Sequence, residues 1–320
     1  MITINKIRNK LFSFNVNQEI DLMRKTYHFG SIKEKVKPMA IACLDGRTVT
    51  SGFADRLRGM ITIYAYAQQM KIPFRIEHIE PFKLQDYFVP NKYDWLLKEG
   101  EKSLNLFYAN PIFLRQTSFC HCKGKRLLWV MKKRQHHFYT NANYLGIINK
   151  KYHTDYQFGN LFQELFKPSP LLQEYVDKYG QELGYEYISV SFRFMQLMGD
   201  FKDCYGDVLN EEDKKILIEK SLKVIEDLYK INNKKVLVTS DSQSFIDEAK
   251  KLNFVYVIPG EIGHIGFSKG TDVYMKTFLD FYMISQASHV YMAHSGKMYR
   301  SNFAPTAAMS NNVPYDEIVY

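Results

Sequence analysis

From Ala40 to Tyr66 the chain reads AIACLDGRTVTSGFADRLRGMITIYAY. The apolar run Pro38–Leu44 predicts a buried strand. After a run of small and polar residues, apolar positions recur at helical spacing through DRLRGMITIYAYAQQMK. The next apolar stretch, PFRIEHI, predicts a second strand, so the segment is a strand, loop, helix and strand in succession. Two arginines, Arg56 and Arg58, stand at the helix start, where the backbone dipole already places partial positive charge and acids are the usual occupants. Cations in that place read either as surface charges on a helix start or as groups that face an anionic ligand.

The C-terminal half repeats the alternation. YEYISVSFRF, KKVLVTS, FVYVI and HVYMA predict strands, and NEEDKKILIEKSLKVIEDLYKI, SQSFIDEAKKL, DVYMKTFLDFYMISQA and RSNFAPTAAMS predict the helices between and after them. Strands and helices alternating at this spacing form right-handed crossovers and parallel sheets covered on both faces. Between the halves, GNLFQELFKPSPLLQEYVDKYGQEL predicts two helices split by KPSP, with Ser169 as N-cap and Pro170 in the first helical position. The expectation is two α/β domains, 1–165 and 166–320. The region from Lys83 to about Asn160 is rich in aromatics and Asn and predicts one strand, RLLWVMKK.

Composition sets bounds on what the chain does. With 320 residues, 46% of them hydrophobic, it can bury a core in each domain. No apolar run approaches the roughly 18 residues of a membrane span, and Asn breaks up the N-terminal segment too early for a secretory signal. A cytoplasmic chain is expected. Cys43, Cys120, Cys122 and Cys204 suit a reducing compartment, and the Cys120–Cys122 pair lacks a partner pair at zinc-like spacing. The net charge of +9 favours anionic partners. Its clusters, KIRNK, KGKR and KKRQHH, read as solvated faces that can also hold an anionic membrane surface. There is no RNA-binding signature and no concentrated basic stripe, so nucleic acid is not an expected partner.

Ligands of open parallel sheets bind beyond the carboxyl ends of the strands. Four places fall there: the loop Gly52–Arg58, the strand end at Arg193, the strand end at Ser240 and Asp241, and the turn before the helix at Ser301 and Asn302. Arg193 emerges from an otherwise apolar strand and needs an anion, either a phosphate or an internal acid such as Asp200. Asp241 or Ser242 can cap the helix that follows, and the same helix start can face a nucleotide. Ser301 and Asn302 allow the same two readings.

These places occur in an order that resembles the GDP-fucose-dependent fucosyltransferase superfamily, which includes bacterial α-1,2 and α-1,6 enzymes and protein O-fucosyltransferases. GFADRL resembles that family's glycine-rich loop into the first helix at Gly52, Asp55, Arg56 and Leu57. SFR at Arg193 stands where the family ends a strand with His-x-Arg. Ser240 and Asp241 match its acidic pair after the next strand, and RSNFAPTAA resembles its Ser-Ser-x-Phe turn at Ser301 and Phe303, with Asn302 between them. The resemblance covers roughly Met39–Ile79 and Phe158–Met309. Ala54 replaces a glycine, Ser191 replaces the histidine, and Gly199 and Asp200 arrive several residues late.

The resemblance implies a GT-B-like α/β fold, two Rossmann-like domains facing across a cleft, with the acceptor on the N-terminal side and the nucleotide sugar on the C-terminal side. It implies an inverting fucosyltransferase acting on a glycan acceptor such as a bacterial surface polysaccharide. Departing phosphates need their charge stabilised in the transition state. The chain has no Asp-x-Asp motif to hold a metal, so arginine is expected to serve instead. Arg56, favoured over Arg58 by the resemblance, and Arg193 are then the cations on the diphosphate. Asp200 is the expected base, with Asp203, Asp45 and Asp55 as other nearby acids. Competing readings are a transferase for another nucleotide sugar, permitted by Ser191, and a non-catalytic glycan- or nucleic-acid-binding protein.

Overall fold

The computed structural model describes residues 14–33, 35–47, 52–114, 133–201, 207–263, 265 and 270–320. The chain divides into two compact units, Met1–Leu84 with Pro90–Phe166, and Gln85–Val89 with Lys167–Tyr320. The predicted strand RLLWVMKK falls almost wholly outside the described residues.

In the first half the elements are α1 (Phe14–Thr26), β1 (Met39–Leu44), α2 (Phe53–Met70), β2 (Phe74–His78), β3 (Phe88–Pro90), β4 (Ala109–Leu114), β5 (Gln135–Thr140), α3 (Leu145–Tyr152), α4 (Phe158–Leu165) and β6 (Phe166–Pro168). The first unit is built on the sheet β2-β1-β5-β4, whose pairs are all parallel. Every residue of β1 is buried, which is why MAIACL is apolar without alternation. At Gly59 helix α2 passes so close to the end of β5 that a Cβ would stand 2.4 Å from the Thr140 carbonyl oxygen. Only glycine permits that approach.

The strand β5 escapes a sequence reading because it is polar, QHHFYT, yet its first five residues are buried. Its polar groups are satisfied from within. Gln135 Oε1 accepts from Ser103 N at 2.8 Å, and Gln135 Nε2 donates to the Glu101 carbonyl at 2.6 Å. Tyr27 Oη and His137 Nδ1 lie 2.8 Å apart.

The second half continues with α5 (Pro170–Leu183), β7 (Tyr187–Phe192), α6 (Glu211–Asn232), β8 (Lys235–Ser240), α7 (Gln243–Ala249), β9 (Val255–Tyr256), α8 (Thr271–Ser285), β10 (Val290–His294), α9 (Phe303–Ser310) and β11 (Tyr315–Val319). The helix starts follow the capping chemistry of the sequence: Ser169 Oγ accepts from Leu172 N at 3.2 Å, and Asn210 Oδ1 from Asp213 N at 2.8 Å. The second sheet runs β11-β10-β7-β8-β9, all parallel. Strand β9 is shorter than FVYVI predicts, and the edge strand β11, half-exposed and acidic, gives no apolar signal.

Chain order reverses across the pair β7 and β10, which makes their carboxyl ends the switch point where such sheets open a crevice. Phe192 pairs with Ser240 on one side and Ala293 on the other. Arg193, Asp241 and His294 therefore leave the sheet at one level. None of the described helices is long and apolar enough to cross a membrane.

Candidate functional site

Arg193 follows β7 at the switch point, with its side chain one-fifth exposed. Its Nε lies 3.2 Å from Asp241 Oδ2, and its guanidinium stacks 4.7 Å above the Phe201 ring. The internal acid beside Arg193 is thus Asp241, not the Asp200 expected from sequence. Asp241 is buried, and its Oδ1 and Oδ2 accept the amides of Phe194 and Met195, each at 2.8 Å. Those bonds hold Met195 at φ 57°, left-handed for a residue with a side chain. Burial raises the Asp241 carboxyl above the ordinary aspartate value, against the Arg193 guanidinium and the two amide donors.

Asp200 turns toward the next helix. Its Oδ2 accepts from Ser242 Oγ at 2.9 Å and from the Ser244 amide and hydroxyl at 2.8 Å each, so it closes the start of α7. Ser242 is the N-cap of that helix, accepting from Phe245 N at 3.2 Å. Ser240 Oγ accepts from Ser242 N at 3.1 Å. Ser191, which stands where the resembled family has histidine, is buried with its Oγ 2.7 Å from Thr239 Oγ1.

The turn into α9 joins the same edge, because Tyr299 N donates to the Arg193 carbonyl at 3.0 Å. Ser301 Oγ accepts from Phe303 N at 3.1 Å, and Asn302 occupies the N-cap position without a side-chain cap bond. Phe303 packs edge-on against Phe281, with ring centroids 5.6 Å apart. Arg193, Asp200, Ser240, Asp241 and the 301–303 turn are therefore gathered at the carboxyl edge of the second sheet.

Beside them a small cleft opens past the end of β8, lined by Ser240, Gln243, Ile258, Gly260 and Lys276 among others. Sequence reasoning missed Lys276, one of its lining residues. Lys276 Nζ lies 2.5 Å from both carboxylate oxygens of Asp280, both residues on α8. Burial pushes the Asp280 carboxyl up despite the lysine. The signal was an i,i+4 Lys and Asp inside the otherwise apolar helix YMKTFLDFYMIS.

In the first unit Gly52 is the N-cap of α2, and Asp55 pairs with Arg58 at 3.2 Å. Arg56 is 1% exposed. Its Nη1 donates to His78 Nε2 at 3.1 Å and to the Glu80 carbonyl at 2.9 Å. The His78 Nδ1 lies 3.0 Å from the Phe82 carbonyl, which can only accept, so Nδ1 carries the proton and Nε2 is the acceptor for Arg56. Burial, then the Arg56 charge, hold His78 down at about 3. Asp45, after β1, is buried between Arg47 at 3.5 Å and Lys102 at 3.8 Å. Among the described residues no group of three or more His, Cys, Asp or Glu is placed to hold a metal ion. Asp203, Cys120 and Cys122 lie outside the described residues.

No protein-family model matches the chain, and no curated protein matches it in sequence. Solved structures do match in fold. A mutant of Arabidopsis thaliana FUT1 in complex with GDP aligns at TM-score 0.58 and 13% identity, covering 98% of this chain and 78% of that one. NodZ α-1,6-fucosyltransferase soaked with GDP-fucose aligns at TM-score 0.55 and 12% identity, covering 86% and 92%. NodZ from Bradyrhizobium without a stated ligand gives TM-score 0.55 at 13% identity, covering 86% and 93%. Two α/β units on parallel sheets, with an arginine at the switch point of the second, make this chain one with the GT-B-type fold of the solved fucosyltransferases.

Proposed function

We propose that the chain is a fucosyltransferase-like glycosyltransferase that moves a sugar, fucose in the leading case, from a GDP-sugar to a glycan hydroxyl. The observation that carries this reading is Arg193. It is a guanidinium at the switch point of a parallel sheet, fixed there by a buried carboxylate, in a fold shared with a fucosyltransferase solved in complex with GDP. Guanidinium suits phosphate because it offers parallel donors in one plane.

In the proposed reaction the acceptor oxygen forms a bond to the anomeric carbon while the bond from that carbon to the diphosphate breaks, inverting the centre. The electron pair leaves with the diphosphate, whose growing charge Arg193 and the amides at the start of α9 stabilise. Arg56, buried and bonded to His78 and the Glu80 carbonyl, is in this scheme a positioning residue that fixes the start of α2 within the first unit. The acceptor proton passes to a carboxylate, with Asp200 as the proposed base. Its Oδ2 already serves Ser242 and Ser244, so Oδ1 is the atom that receives the proton. The small cleft beside Ser240, with Lys276 on its wall and Asp280 behind the lysine, is the proposed contact for the base of the nucleotide. No metal is required in this scheme. The first unit is assigned the acceptor side, and a bacterial surface glycan and a cytoplasmic, membrane-peripheral location complete the proposal.

A second reading rests on Ser191. Its hydroxyl is tied to Thr239 inside the sheet, so whatever the family histidine contributes to nucleotide choice is missing, and a different nucleotide sugar fits equally well. The deciding experiment measures nucleotide release from GDP-fucose, GDP-mannose and UDP-glucose with a panel of glycan acceptors. Acceptor-dependent GDP release that Arg193→Ala abolishes supports the transferase. Release from UDP-glucose alone moves it to the second reading, and release from none removes the enzyme.

A further inference from the structure

The first unit carries an aromatic surface that the transferase reading does not use. Phe29 is 74% exposed, Ile32 70% and Phe107 41%, in a protein that buries most of its large apolar side chains. The two phenyl rings meet edge-on with centroids 5.5 Å apart. Single exposed apolar residues are ordinary, whereas a contiguous group marks a contact surface.

This group is held out rigidly. The segment after α1 is tied to the one before β4 by His28 N to the Leu104 carbonyl at 3.1 Å and Leu106 N to the His28 carbonyl at 2.8 Å. Buried Asn105 binds it twice more, accepting from Gly30 N at 3.0 Å and donating to the Ser31 carbonyl at 2.9 Å. Tyr108 Oη adds a hydrogen bond to the Ile32 carbonyl. A Cβ at Gly30 would stand 2.9 Å from Asn105 Nδ2, so side chain and turn fit closely.

The surroundings are basic. Lys33, Lys35 and Lys37 are all exposed and alternate with Glu34 and Val36 in the five residues after Ile32, a net excess of positive charge. Residues 104–108 lead into β4, so the surface lies at the amino edge of a parallel sheet, opposite the carboxyl edge that carries Asp45 and the start of α2. It is therefore not an extension of the ligand edge of that unit.

We propose that Phe29, Ile32 and Phe107 insert into the headgroup region of an anionic membrane while Lys33, Lys35 and Lys37 bind its phosphates. Rings and an aliphatic side chain beside a lysine row match such an interface, where apolar groups enter the acyl boundary and ammonium groups stay with the headgroups. The proposal names the surface for the peripheral membrane contact suggested above. It stands whether or not the chain transfers a sugar, because the test reads binding to lipid and not turnover.

The test is co-sedimentation of the full chain with vesicles of phosphatidylcholine alone and of phosphatidylcholine with phosphatidylglycerol in equal parts. Binding is expected only to the anionic vesicles. Phe29→Ser with Phe107→Ser lowers the partition coefficient by about tenfold or more, and Lys33→Glu with Lys35→Glu and Lys37→Glu by about a hundredfold. Unchanged melting temperatures show that both variants fold. Equal binding to neutral vesicles, binding to neither, or undiminished binding of either variant overturns the proposal. So does wild-type self-association that the Phe variant loses while lipid binding is absent, since the surface is then a protein interface.

Discussion

Asp241 Oδ2 lies 3.2 Å from Arg193 Nε, and the two oxygens of the same carboxylate accept the amides of Phe194 and Met195. One buried acid thus fixes both the charge at the switch point and the left-handed turn that follows it. Breaking a buried pair by removing one partner's charge costs about 3–5 kcal/mol because the other is left unpaired. Asp241→Asn keeps the shape, loses that charge and leaves one of the two backbone amides facing an NH2 that cannot accept from it. It is expected to lower the melting temperature and to weaken GDP binding, by calorimetry, by at least about tenfold, or 1.4 kcal/mol. Wild-type affinity in a folded Asp241→Asn protein would show that Arg193 does not need this partner.

His78 makes a prediction about acid. Its folded value of about 3 lies below the ordinary histidine value of 6.5. The unfolded chain therefore takes up the proton first as pH falls. The contribution is fully present above pH about 6.5 and is lost between there and about 3, on the order of 5 kcal/mol in all. His78→Gln can still accept from Arg56 and donate to the Phe82 carbonyl. Urea unfolding of this variant should show a visibly shallower fall in stability over that range, and an unchanged slope would assign the acid sensitivity elsewhere.

Gly59→Ala places a methyl group 2.4 Å from the Thr140 carbonyl oxygen, a backbone atom that cannot swing away. Helix α2 must shift from β5, at an expected cost of about 1–3 kcal/mol or more. Thermal unfolding reads this directly, and a variant as stable as wild type would mean that the helix sits farther from the strand.

The Lys276–Asp280 pair separates stability from binding. Asp280→Asn alone strands a buried ammonium and should destabilise by about 3–5 kcal/mol, whereas Lys276→Met with Asp280→Leu should recover most of it. If the cleft seats the nucleotide base, the recovered double variant still loses GDP affinity in calorimetry. Full affinity in that variant would remove the pair from the ligand site.

Much of the fold is legible in the sequence because the strands of the second unit are apolar runs and its helices begin with Ser169, Asn210 and Ser242, each of which caps as its chemistry requires. Strand β5 is not legible, since Gln135, His136 and His137 are buried on the strength of partners far away in sequence. Nor is β11, an acidic edge strand that pairs with β10 on one side. At the site, strand alternation exposes Arg193, but the acid that meets it depends on which loop crosses the strand end. Asp200 is near in sequence, while Asp241 is near in space, one strand over at the same level. Lys276 and Asp280 were hidden in a helix whose apolar pattern made it look like core alone.

The central claim is that Arg193 holds the diphosphate of a guanine nucleotide without a metal. Thermal unfolding of the purified chain with GDP, UDP or CMP, each in EDTA and in added Mg²⁺, for wild type and Arg193→Ala, tests it most directly. Ligand at about 100 times its dissociation constant adds roughly 2.7 kcal/mol of stability. The expected result is a shift with GDP that survives EDTA and disappears in Arg193→Ala. No shift with any nucleotide, a shift with UDP alone, or a GDP shift that Arg193→Ala leaves intact would contradict it.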